Sequence, residues 1–421
     1  MGTKADEFDS AMRHILTRNT PVVLASFTAE VDYAIKTCIG GPQGDWTPVP
    51  VRAAMSRVAS LMSGRAFVGL PLSRDPEWVE ATTNYTQDVS RAWMALKMLP
   101  WYKRLLMARF LPPVQSLERQ KQINVNKLGP LLKVKRAGQV AGKSQRSVDP
   151  GGDMIDWFIS RYSKPPSVQQ LARDQLLATF ASVYNLSNAL SYIVFDLAAN
   201  PDCIDELRQE ILDVVGEGAV IDRVALSKLR KLDSFAKESQ RLNPPSLGGW
   251  CFITNHPPPT TQHRQFRLHS TGQRLTIPIV NIPRVVTNPN GFLTSTGHVV
   301  PQGYTVMVRA HPINMSPTLY PSPEVFDPFR FSKLREQPGN ENKFQHSSTG
   351  VDNINFGHGI WACPGRFFAA AQIKVVMAYL IMNYDMMVKP GEKKPGQVHY
   401  GLATLPDAEA SILFRKRKKS V

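Results

Sequence analysis

Cys363 stands in the stretch INFGHGIWACPGRFFAAAQIKVV, residues 354–376, with Gly357, Gly359 and Gly365 around it and a long apolar run behind it. A cysteine just ahead of a helix receives the positive end of the helix dipole and free backbone N–H groups, and both favour thiolate over thiol. The glycines let the backbone turn tightly and approach a flat ligand closely. Phe356 can pack on the sulfur and shield it. Three chemistries use such a sulfur. A nucleophile needs a histidine base, for which His358 is a candidate only by nearness in sequence. A zinc site needs further Cys or His at suitable spacing, and Cys251, His256, His263 and His269 are irregularly spaced. A lone thiolate in a glycine-rich loop fits an axial ligand for haem iron, where thiolate donation favours O–O cleavage. A buried thiol in a tight turn, doing no chemistry, is the remaining alternative.

A second set of residues suits scaffolding. Glu238 and Arg241 are three apart, so both project from one helical face. Most such pairs are surface ion pairs worth little. This one precedes a Pro-Pro stop and lies upstream of PEVFDPFRF, whose Arg330 offers a second guanidinium. A buried carboxylate between two arginines is a satisfied network, costly to break, that suits locking a loop in place.

The elements that must position these residues show in the periodicity. VQQLARDQLLATFASVYNLSNALSYIVFDLAANP is the longest helical pattern. One face carries Leu176, Phe180, Val183, Ser187, Leu190, Val194 and Leu197; another carries Ala178, Ala181, Ser182, Asn185 and Ala189, all small. Small residues on one face suit either close packing on another helix or a bulky ligand. Residues 1–125 read mainly as helices. PEWVEATTNYTQDVSRAWMAL is one, with Pro76 near its start, and WYKRLLMARFLPP is another that ends at its proline pair. VKRAGQVAGKSQRSVDPGG reads as a basic, Gly-rich loop. Pro201 opens a helix through PDCIDELRQEILDVVG. In LDSFAKESQRLNPP, Asp233 is the expected N-cap and Asn243-Pro244-Pro245 the stop. Beyond it the chain turns β-like, with a hairpin around Gly297 and Gly303. The last helix starts near Cys363.

Bulk properties narrow the class. The chain has 421 residues, 43% hydrophobic and 20% charged, enough for one large core or about two or three average domains. Cys38, Cys203, Cys251 and Cys363 form no CxxC, which implies reduced thiols in a cytosol-facing protein. The net charge of +16 suits an anionic membrane surface, an acidic redox partner or nucleic acid, but no nucleic-acid motif accompanies it. No acidic residue occurs between Glu238 and Glu324. Residues 414–421, FRKRKKSV, read as a solvated basic tail, and KKSV has the form of a dilysine membrane-retrieval signal. No apolar run reaches the roughly 18 residues of a membrane-spanning helix. The polar start lacks a signal core and the Ser or Thr that myristoylation prefers.

FGHGIWACPGRFFA resembles the haem-binding loop of the cytochrome P450 family, F-x-x-G-x-R/H-x-C-x-G-x-x-x-A, with Phe356, Gly359, Cys363, Gly365 and Ala369 on the pattern. KESQR is similar to the family's E-x-x-R helix and FDPFRF to its Pro-aromatic-Arg segment, in the right order. KESQRLNPP looks like fungal microsomal members of secondary metabolism, including those that oxidise terpenoids and indole terpenoids. The resemblance runs from about residue 10 onward. It implies a mainly α fold with minor β, formed by residues 1–421 as one domain lacking the family's N-terminal part. It also implies heme b with Cys363 as its metal ligand, held in a loop that includes Phe356, Gly359, Trp361, Gly365 and Ala369. Glu238, Arg241 and Arg330 then hold the fold. The helix 174–199 crosses the haem, with Ser182, Tyr184 and Asn185 in the oxygen and substrate pocket. The implied reaction is NADPH- and O2-dependent oxidation of an apolar small molecule, fed by a reductase, on the cytosolic face of the endoplasmic reticulum membrane.

Four departures from the pattern qualify that expectation. The family's membrane anchor and pocket roof have no counterpart, and Arg13 and His14 in MRHILTRN are remnants of a propionate-binding helix. Tyr184 and Asn185 stand at the family's acid-Thr pair, and an amide cannot relay a proton as a hydroxyl does. Ser182, Tyr184 or water must substitute, or coupling falls, or the reaction changes. Trp361 replaces the Arg or His that binds a propionate, keeping one N–H donor but no charge. Residues 251–281, acid-free and rich in Pro and His, look foreign: a retained intron or mis-joined exon, with a genuine surface loop as the alternative. A catalytically impaired relic is the alternative these departures raise.

Overall fold

The computed structural model describes residues 12, 16–40, 45–140, 152–160, 162, 164–216, 221–244, 280–359, 362–400 and 403–417. Ten helices carry the described architecture: α1 Thr20–Ile39, α2 Val51–Val68, α3 Pro76–Met98, α4 Trp101–Met107, α5 Pro112–Val140, α6 Val168–Ala199, α7 Ile204–Val215, α8 Arg230–Leu242, α9 Arg330–Arg335 and α10 Arg366–Asn383. One-turn helices, including Leu16–Arg18 ahead of α1, lie between them. The strands are β1 Thr47–Pro50, β2 Val280–Val285, β3 Phe292–Leu293, β4 Val299–Val300, β5 Thr305–Arg309, β6 Tyr384–Met387, β7 Gln397–Tyr400, β8 Ala403–Pro406 and β9 Ser411–Lys416.

The long apolar pattern becomes α6, the axis of the core. Ser167 caps it, its hydroxyl accepting the Gln170 N–H at 3.1 Å. Leu176, Phe180, Val183, Leu190, Val194 and Leu197 are all buried. Helices α2, α3, α5, α8 and α10 pack on it. Asp75 caps α3 by accepting the Trp78 N–H at 2.9 Å, with Pro76 at the first helical position. Helix α10 sits on α1, where Phe368 meets Phe27 edge to face at 4.9 Å between ring centroids.

The strands make small antiparallel sheets. In the largest, β9 lies between β1 and β6, with Ile412 opposite Val49 and Phe414 opposite Met386. The other pairs are β2 with β5, β3 with β4 and β7 with β8. The hairpin turns at Gly297 and Gly303 have φ of 83° and 84°, a region where a Cβ is strained.

Five expectations need correction. The proline pair after WYKRLLMARFL opens α5 instead of closing α4, because proline in a first helical turn has no N–H bond to lose. Helix α5 also runs through VKRAGQV to Val140, since a glycine costs a helix only about 1 kcal/mol. Asp233 is no cap: Leu229 holds that position, and Asp233 lies buried inside α8. Finally, Phe414, Arg415 and Lys416 are no tail but part of the central strand β9, with Phe414 fully buried and Arg415 paired to Asp385 at 3.1 Å. The end of the supposed insert is also revised: Val280 and Asn281 pair with Arg309 and Val308 in the β2–β5 ladder. Residues 251–279 lie outside the described residues.

Candidate active site

The loop carrying Cys363 folds back on itself through three backbone hydrogen bonds. The Gly357 N–H donates to Ile354 at 2.8 Å, Ala362 to Gly359 at 3.0 Å, and Cys363 to the Phe356 carbonyl at 2.7 Å. Gly357 and Gly359 take φ of 75° and 60°, the left-handed conformation this reversal demands. Gly365 then caps α10, whose bonding resumes with the Ala369 N–H to the Gly365 carbonyl at 2.9 Å.

The sulfur therefore sits at a helix mouth. The Gly365 N–H donates to it, and the Arg366 guanidinium lies beside it, also donating to the Cys363 carbonyl at 3.0 Å. Burial pushes the Cys363 thiol up, while the Gly365 N–H and Arg366 pull against it. A metal that binds the thiolate displaces that proton. Gly365 has an ordinary φ of −89°, and a methyl there would lie 3.9 Å from both the Cys363 sulfur and Leu16. Both are ordinary van der Waals contacts, so neither backbone nor packing requires glycine there. A Cβ on Gly359 would meet nothing within 4 Å.

These features suit one ligand chemistry. Among the described residues no group of three or more His, Cys, Asp or Glu could hold a metal ion. His358 is exposed and Cys363 half-buried, and no hydrogen bond joins them among the described residues. A single half-buried sulfur with N–H support fits a haem iron held by one thiolate. Cys251, His256, His263 and His269 lie outside the described residues, as do Trp361, Arg13 and His14.

On α6, Leu177, Ala181, Ser182, Asn185, Asn188 and Ala189 form a half-exposed strip on a helix that is otherwise mostly buried. Ala178, grouped with them by sequence, is buried. The Asn185 amide donates to the Ala181 carbonyl at 3.0 Å, and the Ser182 hydroxyl to Thr179 at 3.2 Å. Their oxygens remain acceptors. The Tyr184 ring stacks on Phe180 at 6.1 Å, and Asn188 and Ser90 of α3 lie near its hydroxyl. Burial raises its pKa.

The scaffold residues converge. The Glu238 carboxylate receives Arg241 Nε at 2.8 Å and Nη2 at 2.7 Å, Arg330 Nε at 3.1 Å and the Asp327 N–H at 3.1 Å. Arg241 also donates to the Asn314 and Pro323 carbonyls at 2.8 and 2.6 Å, and Arg330 to Pro321 at 2.7 Å. One carboxylate thereby pins the segment from Asn314 to Arg330 against α8. Sequence reasoning missed a second such centre at Asp233, which takes Lys374 Nζ at 2.9 Å, Arg335 Nη1 at 3.6 Å and the His346 N–H at 2.7 Å. The available signal was α8 itself, a charged helix followed by a Pro-Pro stop, whose charges must pair once it is buried.

Comparison with known proteins agrees with this geometry. The family model for cytochrome P450 matches residues 35–248 and 272–414. The chain is 55% identical over 424 residues to cytochrome P450 monooxygenase gliF of Aspergillus fumigatus, covering 99% of this chain and 77% of that protein. It is 52% identical over 417 residues to cytochrome P450 monooxygenase ataF of Aspergillus terreus, with coverage of 99% and 77%. The fold is similar to that of retinoic acid bound cyanobacterial CYP120A1, with a TM-score of 0.66 at 18% identity, covering 99% of this chain and 80% of that one. The chain belongs to the cytochrome P450 family and is a monooxygenase, an oxidoreductase that works through cysteine-ligated haem iron with O2, a small-molecule substrate and a redox partner that supplies electrons.

Proposed function

We propose that this chain oxidises a neutral, apolar small molecule in fungal secondary metabolism, with Cys363 as the thiolate ligand of heme b and NADPH as the electron source through a reductase. A terpenoid or indole terpenoid is the substrate class to test first. The observation that carries the proposal is the half-buried Cys363 sulfur at the mouth of α10, supported by the Gly365 N–H and with the Arg366 charge acting on it. The absence of ionised side chains from the α6 strip supports an apolar substrate, since a charged one would need a partner.

When bound, the haem supplies oxygen activation and the site of electron entry. The polypeptide's own work is narrower. The Gly365 N–H and Arg366 stabilise negative charge on the sulfur. Glu238, Arg241 and Arg330 hold the chain behind α8, while Phe356, Gly359 and Ala369 shape the loop and the first turn of α10. Asn185, anchored to Ala181, accepts a hydrogen bond from water but has no hydroxyl proton to pass on. Ser182 is the nearest hydroxyl on the strip. Tyr184, half-buried on the same helix with Ser90 and Asn188 near its hydroxyl, is the other candidate for that role.

Membrane association is part of the proposal. No described helix is long and apolar enough to cross a membrane. Met98, Leu105, Leu106 and Phe110 are 86%, 89%, 70% and 62% exposed, next to Lys103 and Arg109 and with no acidic residue between positions 98 and 110. Such an apolar patch with basic flanks suits the anionic cytosolic face of the endoplasmic reticulum.

Reconstitution with a reductase, NADPH and labelled O2 tests the activity. One labelled oxygen atom in the product supports it. Turnover without incorporation of label, in a protein loaded with haem, rejects the monooxygenase assignment for this substrate class.

A further inference from the structure

Asp233 touches both flanks of the Cys363 loop. Upstream, its Oδ2 accepts the His346 N–H at 2.7 Å. Downstream, its Oδ1 meets Lys374 Nζ at 2.9 Å, and Lys374 belongs to α10, the helix that starts behind Cys363. Lys374 also donates to the Leu226 carbonyl at 2.7 Å, so its ammonium is fixed on two sides. All three side chains are buried.

The upstream contact continues to the sulfur. The His346 ring meets Phe356 at 5.3 Å between centroids, with the planes 66° apart. The Phe356 carbonyl accepts the Cys363 N–H at 2.7 Å. Moving His346 therefore moves the acceptor that orients Cys363.

We propose that Asp233 and His346 are positioning residues for the Cys363 loop: the carboxylate ties the loop's two flanks to α8, and the imidazole braces Phe356 as an aromatic wedge. The proposal rests on Cys363 being the haem ligand. The ring acts by shape and not by charge. His346 Nδ1 is buried without a hydrogen-bond partner among the described residues. Burial, with Lys237 and Lys374 nearby, pushes the imidazole down to about 4 against the pull of Asp233, so it is neutral at physiological pH. A phenyl ring in its place should serve equally; a methyl should not.

The reduced carbon monoxide spectrum of the holoprotein reads the ligand state directly, because thiolate-ligated and thiol-ligated haem absorb at different positions. The variants are His346→Phe, His346→Ala and Asp233→Asn. Asp88→Asn serves as a control, because it disturbs a buried carboxylate that binds Ser116 and Gln120 between α3 and α5, away from the loop. The expected result is a several-fold larger thiol-ligated fraction in His346→Ala and Asp233→Asn, with His346→Phe and Asp88→Asn like the wild type. A wild-type ratio in His346→Ala overturns the proposal, and so does failure of His346→Phe to rescue it. If Asp233→Asn does not fold, the two His346 variants decide alone. Absence of the thiolate band in the wild type would overturn the ligand assignment as well, so the two failures are distinguishable.

Discussion

Arg241 grips Glu238 with two parallel hydrogen bonds, of 2.8 and 2.7 Å, at a place where both side chains are essentially inaccessible to solvent. The pair spans a single helical turn, yet its effect is long-range, because the same carboxylate also holds Arg330 and the Asp327 N–H. Glu238→Gln leaves two arginines buried with no anion. The expected loss is roughly 3–5 kcal/mol, the usual cost of removing one partner from a buried pair. Denaturant unfolding of the holoprotein checks it. A loss no greater than that of a surface substitution would mean that the network is dispensable.

Asn185→Thr restores a hydroxyl at the position where the family resemblance expects one. A threonine hydroxyl can still donate to the Ala181 carbonyl and can also pass on a proton, which the amide cannot. The variant should raise the ratio of product to hydrogen peroxide per NADPH consumed. An unchanged or lower ratio would show that Asn185 is tuned to a different proton path, with Ser182 the next residue to replace.

Lys237 provides a pH signature. Burial drives its pKa down to about 8, with Arg335 adding to the fall and Asp233 and Asp352 opposing it. Its ammonium donates to the Gln345 carbonyl at 3.0 Å. Between pH 8 and the ordinary lysine value of 10.5, the unfolded chain binds more protons than the folded one, so this group makes stability rise with pH. The stability difference between wild type and Lys237→Met should shift in favour of the wild type across that window. A pH-independent difference would place the amine in a solvated setting.

The exposed patch makes a separate prediction. Replacing Leu105 and Leu106 by Asp removes apolar area and adds repulsion from anionic lipid. Vesicles rich in phosphatidylserine should bind the double variant markedly less in a flotation assay, with haem content unchanged. Equal binding would move the membrane contact elsewhere.

Residues 251–271, the first two thirds of the suspected insert, fall within the break between the two stretches matched by the family model. A mature message lacking these codons is the expected result of transcript sequencing. A message that retains them makes the segment a genuine part of the protein.

Short-range patterns proved the most legible. The helical period, the stop at Asn243-Pro244, the E-x-x-R spacing and the glycines around Cys363 each specify local geometry, and α6, α8 and the Cys363 turn follow from them. Pairings between distant parts of the chain left no such trace. Asp233 has the composition of a cap, and only the arrival of Lys374, Arg335 and His346 makes it the hub of a buried cluster. FRKRK looks like a solvated tail because strand β9 becomes apolar surroundings only once β1 and β6 flank it. Tyr184 stands where the family resemblance expects a catalytic residue, but only the fold stacks its ring on Phe180 and brings Ser90 of α3 near its hydroxyl.

The most direct test is the reduced carbon monoxide difference spectrum of the wild-type protein beside Cys363→Ser. The wild type should show the Soret band of thiolate-ligated haem, and the serine variant should lose it while Glu238 and its arginines keep the fold. A spectrum unaffected by the substitution, or a wild type that takes up no haem, would contradict Cys363 as the ligand; the latter result would leave a folded relic of the family.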